Sequence, residues 1–139
     1  YFFKNRLSKW FAKDVIGIVP ISRQSSQKKP LAACSESLEQ NDILILFPEG
    51  TRGHPEKRQS FKRGIEHLAK RHPAIPVLPV YMHGLGKALP KGDAIFVPFF
   101  CDVFVGTPLY GDPDQSDFMT RLDDQMKVLA AEGNFVAWD

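Results

Sequence analysis

Hydrophobic positions recur along the chain with two different periods. Phe3, Leu7, Trp10 and Phe11 fall at helical spacing, with Lys4, Arg6, Lys9 and Lys13 on the other faces, so 3–13 reads as a basic amphipathic helix. Packing against the domain with lysines snorkelling explains that pattern, and so does lying on an anionic membrane. Gly17 ends the element, and Ile18 to Ile21 form a short apolar run whose Pro20 suits an edge strand or a strand end. The polar stretch 23–29 reads as a loop. From Pro30, which suits a helix start, Leu31, Cys34 and Leu38 follow at i, i+3 and i+7, and Asn41-Asp42 closes that helix. Ile43 to Phe47 are five apolar residues in a row, the pattern of a strand buried on both faces.

A second internal helix is expected over 60–71, with Phe61, Ile65, Leu68 and Ala69 on one side and Lys62 placed four residues before Glu66 to pair with it. Val77 to Met82 reads as a short strand, 83–93 as a glycine- and proline-rich loop, and 95–105 as strand material interrupted by Pro98. Phe118, Leu122, Met126 and Leu129 define a last helix with Ser116 as its expected cap. Apolar strands alternating with helices of about ten residues predict an α/β fold, a layered αβα domain with a mixed, largely parallel central sheet.

With 139 residues, 43% hydrophobic and 24% charged, the chain suits one globular domain, taken as 1–139. No apolar run approaches the ~20 residues needed to span a bilayer, and no secretory leader is evident at Tyr1-Phe2-Phe3-Lys4. A net charge of +2 gives no case for nucleic acid, and the basic cluster Arg52, Lys57, Arg58, Lys62 and Arg63 has no aromatic residues interleaved with it. Cys34 and Cys101 lie far apart, outside any metal-ligand spacing, and are expected to be reduced core thiols; no metal site is expected.

Candidate chemistry concentrates where the strand 43–47 runs into Pro48, Glu49, Gly50, Thr51 and Arg52. Ligands collect beyond the carboxyl ends of strands in open α/β sheets. Arg52 presents a fork of donors suited to phosphate or carboxylate, Thr51 a hydroxyl, and Glu49 a carboxylate that orients Arg52 or accepts a ligand hydroxyl. A surface turn with a Glu49–Arg52 pair is the plain alternative. Arg23 follows the run 18–21; if the two strands are neighbours, two arginines converge on one anion. His54, just past this loop, and His83, at a strand end, are candidates to touch a ligand, His67 and His72 read as surface or helix-end residues, and none of the four has a carboxylate at a spacing that would orient it as a base.

These residues resemble the glycerolipid acyltransferase family typified by the 1-acyl-glycerol-3-phosphate acyltransferases. Phe47-Pro48-Glu49-Gly50-Thr51-Arg52 matches that family's central block at every position. Gly17 to Arg23 is similar to its glycine-to-arginine block, with Pro20 and Ser22 in place of the common Phe and Asp. Phe61-Lys62-Arg63-Gly64, Ile75 to Val80 and Val105 to Leu109 resemble later blocks, so the likeness spans roughly 1–132. The family's His-x-x-x-x-Asp block occurs nowhere in the chain. It is expected upstream of Tyr1, where the missing initiator Met also suggests a cut, so the chain holds no catalytic residue of its own and is expected to be inactive alone.

The resemblance implies a glycerol-3-phosphate acyltransferase-like fold and an enzyme that moves a fatty acyl group from acyl-CoA or acyl carrier protein to a lysophospholipid such as 1-acyl-glycerol 3-phosphate. It implies substrate binding by Arg23, Glu49, Gly50, Thr51 and Arg52, with Phe47, Pro48, His54 and Lys62 as accessory residues. No cofactor is implied beyond the thioester co-substrate. A membrane surface is the implied setting, on its cytoplasmic face. A non-catalytic phosphate- or lipid-binding domain that has lost the proton-transfer block is the alternative function.

Overall fold

The computed structural model describes residues 10, 17–19, 31–50, 59–84 and 100–133. The chain divides into two compact units, Tyr1–Ile45 and Leu46–Asp139. Of the expected N-terminal helix only Trp10 lies within the described residues; it is helical and exposed. The expectations for the rest of 3–13, for Pro20 and Ile21, for the loop 23–29, for Pro30 and for most of 83–99 lie outside the described residues.

In the first unit, α1 spans Ala32–Glu39 and buries Cys34 and Ser35. Its C-terminus closes where expected. Asn41 takes φ 61°, a left-handed conformation that asparagine tolerates better than most residues. The Asp42 N–H then reaches back to the Ser37 carbonyl at 3.0 Å, satisfying a helix-end acceptor. From Ile43 the chain is extended but belongs to no strand, and Ile43 and Ile45 are 94% and 79% exposed. This corrects the expectation of a strand buried on both faces over 43–47. Ile43, Ile45 and Phe47 face outward while Leu44 and Leu46 are half-buried, so the backbone does alternate, with one face covered.

The second unit is organised around two helices and a hairpin-like sheet. Here α2 spans Gly64–Arg71 and turns Ile65, Leu68 and Ala69 inward. It starts later than the spacing predicted, leaving Phe61 and Lys62 ahead of it. The expected Lys62–Glu66 pair is therefore not formed, and Glu66 instead meets Lys70 one helical turn on, at 3.2 Å. Strands β1, Val80–His83, and β2, Asp102–Val105, pair antiparallel with Val80 opposite Val105 and His83 opposite Asp102. β1 begins directly after Pro79, which has no N–H to give a ladder, although the Pro79 carbonyl accepts from the Gly106 N–H at 2.8 Å. Val77 and Leu109 exchange two further backbone bonds at 2.7 and 2.8 Å, extending the pairing past the strands.

Among the described residues the sheet has two strands in one antiparallel ladder, within a small mixed helix-and-strand arrangement. Tyr81 and Phe104 form one cross-strand pair on the more covered face; Val80, Met82, Val103 and Val105 form an exposed apolar face opposite.

Helix α3, Phe118–Glu132, packs against both strands and buries Phe118, Leu122 and Leu129. Asp117 rather than Ser116 precedes its first turn, and it makes no side-chain cap, so the expected Ser116 cap is not formed. The core joins Ile65 and Ala69 of α2 to Leu109 and to Phe118 and Leu122 of α3, with Leu46, Phe61, Val77, Met119 and Met126 packed around them. Gly111 lets the chain pass close to α2: a Cβ there would lie 2.2 Å from the Ala69 carbonyl carbon and oxygen. Both cysteines are free. Cys34 is buried as expected, but Cys101 is exposed just ahead of β2, so only one is a core thiol.

Candidate functional site

The turn that follows Leu46 is held from both sides by the core. Leu46 packs on the apolar cluster immediately before the turn, and Phe61 packs on the same cluster after it. Between these anchors the Gly50 N–H bonds to the Phe47 carbonyl at 3.0 Å, closing a tight turn over 47–50. Gly50 takes φ 72°, in the left-handed region where a Cβ would crowd the following carbonyl, so glycine suits this position for its backbone rather than for space. The Lys62 N–H bonds to the Pro48 carbonyl at 2.8 Å. That bond brings a residue twelve positions beyond Gly50 against the turn, and the Lys62 Cγ would sit 3.5 Å from a Cβ placed on Gly50.

The structure thus brings Phe47, Pro48, Glu49, Gly50 and Lys62 together. Glu49 and Pro48 are half-buried, Phe47 is 66% exposed, and Lys62 is exposed. A carboxylate acceptor and an ammonium donor flank a turn whose own backbone groups at Pro48 and Gly50 are engaged. Side chains at such a turn are free to meet a polar group while the backbone holds the frame. Arg23, Thr51, Arg52 and His54 lie outside the described residues. Among the described residues no group of three His, Cys, Asp or Glu side chains is placed to hold a metal ion, and no helix is long and apolar enough to cross a membrane.

The chain's matches agree with the motif. A family described as Acyltransferase matches residues 2–83, more than half of the chain. The chain belongs to the acyltransferase family. It is similar to a chloroplastic 1-acyl-sn-glycerol-3-phosphate acyltransferase of Brassica napus, 32% identical over 130 residues that cover 91% of this chain and 36% of the relative. A chloroplastic 1-acyl-sn-glycerol-3-phosphate acyltransferase of Arabidopsis thaliana is 32% identical over 104 residues, 73% of this chain and 29% of the relative. The alpha form of Ovis aries is 27% identical over 124 residues, 87% of this chain and 42% of that protein. The chain therefore spans about a third of the length of the curated relatives it matches. No solved structure matches it.

Two features of this acyltransferase segment lie outside the motif. Gln125 of α3 donates from Nε2 to the Thr107 hydroxyl just past β2, a link between residues eighteen apart that no local pattern announces. The second is legible in hindsight from spacing alone. Arg63, just ahead of α2, and His67 and Arg71 within it recur every fourth residue, and all three are exposed.

Proposed function

We propose that this segment is the phosphate-acceptor half of an O-acyltransferase that esterifies the free hydroxyl of a lysophospholipid, 1-acyl-glycerol 3-phosphate being the acceptor its relatives' names specify. The observation that carries the reading is the Phe47–Arg52 block built on a left-handed Gly50, with Lys62 folded back beside it. Thr51 and Arg52 follow that turn directly in the sequence, and the turn itself is framed by core packing of Leu46 and Phe61. The reading adds Arg23 from the glycine-to-arginine block, giving two guanidinium groups for one phosphate. Glu49 positions the acceptor or Arg52, and Lys62 adds positive charge at the rim.

Proton transfer falls to a His-x-x-x-x-Asp block on a longer chain. There the histidine takes the proton of the acceptor hydroxyl while the oxygen forms a bond to the thioester carbonyl carbon. Collapse of the tetrahedral adduct breaks the carbon–sulfur bond, and the histidine returns its proton to the departing thiolate. The donor is an acyl thioester, of coenzyme A or of acyl carrier protein, and no further cofactor enters. In this reading the segment sits in a glycerol-3-phosphate acyltransferase-like layered fold and works at a membrane surface, on its cytoplasmic face.

Arg52→Ala in an enzyme that joins this segment to the histidine block tests the assignment. A charge-assisted bond to phosphate contributes about 1.5–3 kcal/mol, so kcat/KM for the lysophosphatidic acceptor should fall roughly 10- to 100-fold. Arg52→Lys should recover part of the loss, and the rate with 1-acylglycerol, which has no phosphate, should be unchanged. A kcat/KM within twofold of the parent would remove Arg52 from the acceptor site. Acceptor binding with no acyl transfer, in a chain that holds the histidine block, would favour the phosphate- or lipid-binding alternative.

A further inference from the structure

Four apolar side chains on one face of the β1–β2 ladder are open. Val80 and Val105 form one cross-strand pair, Met82 and Val103 the next, and the four are between 37% and 58% exposed. Leu78, two residues ahead of Val80, is 50% exposed and lengthens the row. Helix α3 packs against both strands, and the other face, that of Tyr81 and Phe104, is the more covered one. A two-stranded ladder has little stability of its own and draws it from what packs on its faces. Here one face has such a layer among the described residues and the other does not.

We propose that this open face seats an amphipathic helix from the part of the whole protein that precedes residue 1, the part to which the acyl-transfer reading gives the His-x-x-x-x-Asp block. The proposal rests on that reading and adds the surface by which the two halves of the enzyme join. The chain spans about a third of its relatives' length, so in that reading most of the enzyme lies outside it. A histidine that takes the proton of the acceptor hydroxyl must stand within about 3 Å of it, so its segment needs a rigid seat on the unit that carries the turn. One compact unit, Leu46–Asp139, holds both the 47–50 turn and this face. The helices of the unit offer no comparable surface: Glu66 and Lys70 on α2, and Asp123, Asp124 and Lys127 on α3, form ion pairs there, and Val128 stands apart among them.

The shape also fits a helix. A helix about 10 Å across covers two strands about 4.8 Å apart, and its apolar stripe would meet the two cross-strand pairs in turn. Two other occupants fit less well. The exposed part of five side chains comes to on the order of a few hundred Å², short of the roughly 800 Å² that each partner buries in a stable dimer. The two strands hold no Lys or Arg, and their one acid, Asp102, gives an anionic bilayer nothing to attract it.

Site-specific photo-crosslinking in the whole enzyme identifies the occupant. Met82→p-benzoylphenylalanine and Val103→p-benzoylphenylalanine are irradiated separately with phosphatidylglycerol vesicles present, with the same change at Val128 as control, and the adducts are mapped by mass spectrometry. Positions 82 and 103 should join a peptide that precedes residue 1, and position 128 should not. Val103→Cys, a smaller change made in a Cys101→Ser background, should react with iodoacetamide at least tenfold more slowly than Val128→Cys. Val103→Asp should lower kcat with lysophosphatidic acid at least tenfold and leave KM within about twofold, since the phosphate half is untouched while the histidine loses its support. Val103→Leu and Val128→Asp should keep both constants within about twofold.

Adducts that fall within residues 1–139, on a second copy or on lipid would overturn the proposal. So would equal labelling of the two cysteine variants, or a parental kcat in Val103→Asp. Any of these in an enzyme that transfers acyl groups would leave the acyl-transfer reading standing. An upstream adduct in a parent that transfers no acyl group would instead keep the seat and count against that reading.

Discussion

Gly50→Ala isolates the backbone requirement of the 47–50 turn. At φ 72° an alanine Cβ is forced toward the following carbonyl, which for a left-handed residue costs roughly 1–2 kcal/mol. No separate steric term adds to this, because the nearest group to the new Cβ would be the Lys62 Cγ at 3.5 Å, an ordinary van der Waals distance. Alanine also restricts the unfolded chain, which offsets about 0.4–1 kcal/mol where the native conformation is tolerated. The net loss expected is about 1 kcal/mol. Gly50→Asn should lose less, because asparagine visits the left-handed region more readily. Urea unfolding of the whole enzyme, read as a shift in midpoint at constant slope, measures both. An alanine variant as stable as the parent, or an asparagine variant costing as much as alanine, would show that the turn is not governed by the left-handed backbone at residue 50. A loss beyond about 3 kcal/mol would point to a steric clash that the 3.5 Å contact with the Lys62 Cγ does not provide.

Two further perturbations probe the frame around the site. Gly111→Ala drives a Cβ to within 2.2 Å of the Ala69 carbonyl in a buried contact made by backbone, which cannot swing aside, so stability should fall by about 1–3 kcal/mol or more. An unfolding midpoint unchanged from the parent would mean that residues 109–111 and α2 do not pass this closely. Burial raises the Cys34 thiol above its ordinary range, so the folded state holds that proton more tightly than the unfolded chain does. The contribution is therefore present below about pH 8.5 and lost as pH rises through the folded value, and the parent should lose stability relative to Cys34→Ala in that alkaline window. Iodoacetamide, followed by peptide mapping, should label exposed Cys101 well before Cys34; equal rates would contradict the burial.

Among the described residues, helices α1, α2 and α3 were legible because apolar residues at 3.6-residue spacing have one way to reach a core. Leu122 and Leu129 are buried on α3, Ile65, Leu68 and Ala69 on α2, and Cys34 on α1. Helix starts were less legible, since the spacing 61, 65, 68 fits a helix whether or not Phe61 belongs to it. Phe61 reaches the same core from the approach to α2, and that difference of a few residues moved the partner of Glu66 from Lys62 to Lys70. Ile43 to Phe47 misled for a related reason. An unbroken apolar run contains no record of which side chains face inward, and the alternation that covers Leu44 and Leu46 while leaving Ile43, Ile45 and Phe47 open exists only in the fold.

The candidate site divides along the same line between local and distant information. The residue types of 47–52 and the need for glycine at 50 are local, so the motif displayed them directly. The placing of Lys62 is not local. It depends on Leu46 and Phe61 entering one apolar cluster with α2 and α3, and on a single backbone bond from Lys62 to Pro48. The motif therefore names the candidate groups, whereas the core decides how Lys62 comes to stand beside the turn. Mutations in that core, at Leu122 or Ala69 for instance, belong to the chemistry of the turn as well as to the stability of the unit, since they loosen the two anchors that set its geometry.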